Sequence, residues 1–135
     1  MAGRVRKVTA GMAIALLPTL AGAWQADNLH TVNPLPGGVF EVIGEPGSAG
    51  PDFWCAAGDY ATRVLGVAGT RRIYIVRGRG APQTSDRKVG VQFALSPASG
   101  ADPGQSVFLS MRRVGDNLSA VFARNYCLDR RNAEF

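Results

Sequence analysis

The chain has 135 residues, 15 Lys plus Arg against 10 Asp plus Glu, two cysteines and one histidine. That length fits one domain, and so few thiol and imidazole groups exclude a Cys/His metal cluster. The formal charge of +5 is unevenly placed along the chain, and its distribution decides what it means.

Arg4, Arg6 and Lys7 precede an apolar run over residues 10–23 that closes on Ala21-Gly22-Ala23. Charged, apolar and small-residue regions in that order make a secretory signal peptide, residues 1–23, with cleavage after Ala23. The run is too short for a spanning helix, which needs about 20 apolar residues, so no transmembrane span is expected after cleavage. Cleavage leaves 135 − 23 = 112 residues and 15 − 3 = 12 cations against 10 acids, a net +2. That balance gives no specific nucleic-acid signal.

Residues 24–38 contain Pro34, Pro36, Gly37 and Gly38 without a sustained period, and are expected to form an extended N-terminal arm. The sole histidine, His30, falls there. A catalytic base must be held against its partner, so His30 is expected to be solvated and not catalytic. Residues 39–43 are short, apolar and β-branched around Glu41, and Gly44-Glu45-Pro46-Gly47 stops them; this predicts a strand followed by a turn.

The stretch GPDFWCAAGDYATRVLG, residues 50–66, carries the strongest helix signal. Pro51 suits the first turn, and Gly66 suits the left-handed residue that closes a helix. Trp54, Ala57, Gly58, Ala61, Val64 and Leu65 fall on one face, with Gly58 placed to let another backbone approach closely. Asp59 and Arg63 can pair at i, i+4 on the outer side. Asp52 and Asp59 lie about 10 Å apart along the axis, and capping and solvation account for both without a carboxylate pair.

Residues 72–77 and 88–96 predict two further strands, the second with Val89, Val91, Phe93 and Leu95 on one face and Gly90, Gln92 and Ala94 on the other. A Pro/Gly/Ser loop over 96–105 precedes a fourth strand over 107–112, where Val107, Leu109 and Met111 alternate with polar and aromatic neighbours. Asp116-Asn117 reads as turn chemistry. Residues 118–127 fit either a short helix capped by Asn117 or Ser119 or a fifth strand, and the helix is preferred. Residues 130–135 are expected to fray.

The result is an α+β domain over residues 39–129: a small, mainly antiparallel sheet of about four strands with the central helix on one face. Cys55 and Cys127 in an exported chain predict one disulfide.

Arg71, Arg72, Arg77, Arg79, Arg87 and Lys88 bracket the glycine-containing segment RGRGAPQTSDRK. Guanidinium forks suit phosphates, sulfates and carboxylates, and glycines let backbone N–H groups face an anion. Arg77, Arg79, Arg87 and Lys88 are therefore the candidate anion-binding loop, for an anionic glycan, a lipid headgroup or an envelope protein. A solvated hairpin loop is the plainer reading of the same residues. The serines have no G-x-S-x-G context and only His30 to pair with. No metal or cofactor motif is present.

The segment FWCAAGDYA at residues 53–61, the four-strand middle and the closing Tyr126-Cys127 resemble small secreted proteins of alphaproteobacteria of uncharacterised activity, over roughly residues 39–129. The resemblance implies export, one domain and a bonded cysteine pair, with no activity or site residues. The expectation is an exported, non-enzymatic binding or envelope-associated module of the periplasm or medium. A small secreted hydrolase, or an inhibitor of one, is the alternative.

Overall fold

Alternation at period two places Val42 and Phe40 on the same side of one strand, and the register of the sheet extends that side across its width. Val32 faces Val42, which faces Val91, while Phe40 faces Phe93, which faces Ile75. All six are buried. The computed structural model describes residues 3, 11, 22–104 and 109–132. Its strands are β1 (Trp24–Gln25), β2 (Thr31–Pro34), β3 (Phe40–Ile43), β4 (Arg72–Gly80), β5 (Gly90–Ala94) and β6 (Asn117–Ser119). They form one sheet in the order β1-β2-β3-β5-β4-β6, every neighbouring pair antiparallel. Helix α1 (Gly50–Arg63) lies between β3 and β4, and α2 (Ala120–Asn132) follows β6. The α+β class stands, with six strands where about four were expected. Because β3 and β4 are each antiparallel to β5, they run parallel to each other, with α1 in the connection between them.

Helix α1 is packed on two sides. Trp54, Phe53 and Tyr60 enter the sheet-side core, where Tyr60 meets Phe40 at 4.7 Å and Trp54 meets Phe93 at 5.1 Å between ring centres. Burying each such ring stabilises the fold by about 1.5–3 kcal/mol. Cys55 and Gly58 face α2. A Cβ on Gly58 would lie 2.5 Å from the Arg124 backbone nitrogen and 2.9 Å from the Ala123 Cβ, so this glycine lets another backbone approach closely, as expected, and that backbone is α2. Cys55 is bonded to Cys127 of α2, Cα to Cα 4.8 Å, as expected. Ten of the fourteen α1 residues are buried; Val64 and Leu65, expected on the inner face, are exposed past the helix end.

The second helix also changes the setting of Asp59. Its carboxylate was expected outside, yet it is only 1 % exposed, with Arg63 at 2.8 Å and Arg124 at 3.6 Å. It further accepts the Asp27 N–H at 2.8 Å. Asp52 acts at the helix start, accepting the Ala49 N–H at 2.9 Å, where the helix dipole favours an anion.

Three other expectations need correction. Residues 24–38 are not an arm: β1 and β2 pair onto β3, Trp24 meets Tyr60 at 5.6 Å, and His30 is 2 % exposed. The expected fourth strand over 107–112 lies partly outside the described residues, and its described part, 109–112, is not strand; Met111 takes φ +61 and its carbonyl accepts the Arg79 N–H from β4. In the last segment the preferred helix holds from Ala120, where α2 begins, and strand is confined to β6 just before it, which pairs with β4. Residues 130–132 continue that helix, and 133–135 lie outside the described residues.

Candidate functional site

The arginine stretch divides between a strand and the loop that follows it. Strand β4 continues to Gly80, three residues beyond the expected end, with bulges between Ile75 and Arg77 and between Arg77 and Gly80. The first bulge adds one residue. It leaves Arg77 opposite Gln92 on the outer face, in a cross-strand row that runs Asn33, Glu41, Gln92, Arg77.

Residues 81–89 fold back over that outer face. Pro82 packs where a Cβ on Gly90 would sit, and the loop backbone closes on Glu41. The Glu41 carboxylate accepts the Gln83 N–H at 3.0 Å, the Thr84 N–H at 2.9 Å, the Thr84 hydroxyl at 2.7 Å and the Gln92 amide at 2.8 Å. Asn33 donates to the Thr84 hydroxyl oxygen at 2.8 Å. Burial pushes the Glu41 carboxyl up, but the hydrogen bonds from Gln92, Gln83 and Thr84 outweigh it and hold its pKa below the ordinary glutamate value. The loop does present backbone N–H groups to an anion, and the anion is the protein's own.

A cleft of about 600 Å³ opens between the β3–α1 turn, the end of β4 and the loop; Arg79, Arg87 and Lys88 line it together with Glu45 and Asp86. Three of the four candidate cations therefore converge, and Arg77 does not join them. Arg87 donates to Glu45 Oε2 at 3.1 Å, with both side chains exposed. Arg79 donates to the Ser48 carbonyl at 2.9 Å and lies over the Phe53 ring at 5.3 Å. Among the described residues Lys88 makes no ion pair. The other two arginines at the start of the stretch serve elsewhere: Arg72 donates to the Asn117 side chain at 2.6 Å and Arg71 to the Leu95 carbonyl at 3.3 Å.

On the same turn the structure joins two residues that sequence reasoning kept apart. His30 Nε2 lies 2.7 Å from Ser48 Oγ, and His30 Nδ1 lies 3.2 Å from the Asn28 carbonyl. Ser48 Oγ also accepts the Glu45 N–H at 2.8 Å. Both residues border a cavity of about 400 Å³. No local motif marks the pair, which are eighteen residues apart and meet only because β2 pairs with β3.

Among the described residues no cluster of His, Cys, Asp and Glu could hold a metal ion, and no helix is long and apolar enough to cross a membrane. Comparison with protein-family models, curated proteins and solved structures finds no match.

Proposed function

We propose that this chain is exported, loses residues 1–23, and works as a small binding module for an acidic glycan at the cleft of Arg79, Arg87 and Lys88. The observation that carries the reading is the convergence of these three cations on one cleft of about 600 Å³, with Lys88 outside the ion pairs of the described residues. Arg87 already holds a carboxylate, that of Glu45, in an exposed pair. Such a pair is worth about 1 kcal/mol or less, so a carboxylate or sulfate from a ligand can replace Glu45 on the guanidinium. Val89 and Pro46 are the sizeable apolar side chains lining the cleft, too few to seat acyl chains, which favours a glycan over a lipid headgroup anchored by them. The buried disulfide suits an oxidising compartment, and the order of charged, apolar and small residues before Trp24 supports export.

The test is salt elution of the mature protein, beginning at Trp24, from immobilised heparin. Changing Arg87 and Lys88 together to glutamine should lower the eluting salt markedly, because exposed charges act within about 10 Å at 0.1 M salt. Arg79 is left in place, since its contacts with Ser48 and Phe53 support the fold. Arg77→Gln, outside the cleft, should elute with the wild type. Equal elution of the double variant and the wild type would overturn the proposal, as would an equal loss from Arg77→Gln.

A further inference from the structure

We propose that Ser48 and His30 form a nucleophile–base pair able to accept an acyl group from an activated ester. This site is separate in its chemistry from the anion cleft and does not depend on it.

The hydrogen bonds determine where each proton sits. The Asn28 carbonyl can only accept, so at 3.2 Å it places the imidazole proton on His30 Nδ1. In the neutral ring Nε2 is then the acceptor, and the hydroxyl 2.7 Å away must donate to it. Ser48 Oγ accepts the Glu45 N–H, which leaves its own proton for His30. The base is therefore in the tautomer a serine nucleophile needs, and a third group orients it. A carbonyl stands where a carboxylate more often does. The ring is fixed further by Phe53, edge to face at 6.3 Å. His30 is 2 % and Ser48 8 % exposed, and the adjoining cavity of about 400 Å³ has room for a small acyl group.

In the first step Ser48 Oγ attacks the acyl carbon while His30 Nε2 takes the hydroxyl proton. The new Oγ–acyl bond forms, the ester's acyl–oxygen bond breaks, and the leaving oxygen takes the proton from Nε2. Water then attacks the acyl-serine and gives its proton to Nε2. Ser48 Oγ departs with that proton, so the net change is ester plus water to acid plus alcohol. The N–H groups beside the nucleophile are already committed, that of Ser48 to the Glu45 carbonyl and that of Ala49 to Asp52. One missing oxyanion donor costs about 10²–10³ in rate, so the fitting donors are esters with good leaving groups.

The experiment treats the native, disulfide-intact protein with p-nitrophenyl acetate and, separately, with a fluorophosphonate, and maps the adducts by peptide mass spectrometry. Ser48 should carry the adduct and react about 10²-fold faster than the exposed Ser96 of the same molecules, the size of a general-base contribution. His30→Gln should remove that advantage. The wild-type comparison decides the matter even where this buried substitution prevents folding. No adduct at Ser48, a Ser48 rate no higher than that of Ser96, or unchanged labelling in a folded His30→Gln protein would each overturn the proposal.

Discussion

Replacing Glu41 with alanine removes the acceptor on which most of the hydrogen bonds between the loop over residues 81–89 and the sheet converge. Four donors reach that carboxylate: two backbone N–H groups, the Thr84 hydroxyl and the Gln92 amide. A hydrogen bond to a charged group contributes about 1.5–3 kcal/mol net, so four strictly additive bonds would total roughly 6–12 kcal/mol. The loop can lift and return its donors to water, which limits the loss; only the Gln92 amide, on the central strand, stays near the emptied site. The expected cost is about 3–4 kcal/mol, and at about 4 °C per kcal/mol for a domain of this size the melting temperature falls by more than ~10 °C. Glu41→Gln keeps the shape and loses the charge, and should cost about half as much. The two variants also differ from the wild type in a pH-dependent way. The folded pKa of Glu41 is below its unfolded value, about 4.3, because hydrogen bonds outweigh burial. Its stabilisation is therefore fully present above that value and is lost as pH falls through the folded pKa. Thermal melts of the three proteins at pH 7 and about pH 3 should show the gap between wild type and Glu41→Gln narrowing in acid. An alanine variant melting within about 2 °C of the wild type at pH 7, or a glutamine gap unchanged by acid, would refute the reasoning.

Two further changes test the helix pair. Removing the Cys55–Cys127 bond by double alanine substitution should cost about 4 kcal/mol in the chain-entropy account for a sequence separation of 72; denaturant melts check this, and a loss below ~1 kcal/mol would refute it. Gly58→Ala adds about 1 kcal/mol of helix propensity but sets a Cβ 2.5 Å from the α2 backbone. Overpacking of this kind costs about 1–3 kcal/mol, so the melting temperature should fall, and a rise would show that the helices move apart freely.

The features legible in the sequence were those whose signal is local. Helix α1 has its own stop in Gly66, at φ +67, and β5 alternates without help. The disulfide followed from compartment and count. Strand β2 was illegible because Thr31–Pro34 offers one buried apolar side chain, Val32, between polar neighbours and a proline; its strand state comes from pairing with β3. Without β2, His30 reads as a solvated side chain, and its contact with Ser48 leaves no mark in the sequence. Asp59 misled for a related reason: its outward face on α1 becomes interior only once α2, more than sixty residues later, covers it. Glu41 stood out as a polar break in an apolar strand, but the groups that satisfy it lie more than forty residues away.

The sheet order has a bearing on how the chain is divided. Residues before α1 supply β1-β2-β3 and residues after it supply β5-β4-β6, so the sheet is two three-stranded leaves meeting along the β3–β5 ladder. Each leaf is followed by its own helix, and the disulfide joins helix to helix. A backbone cut in the connection between Arg63 and Arg72 would therefore release nothing: the two fragments stay one covalent molecule, leaf against leaf, until Cys55–Cys127 is reduced.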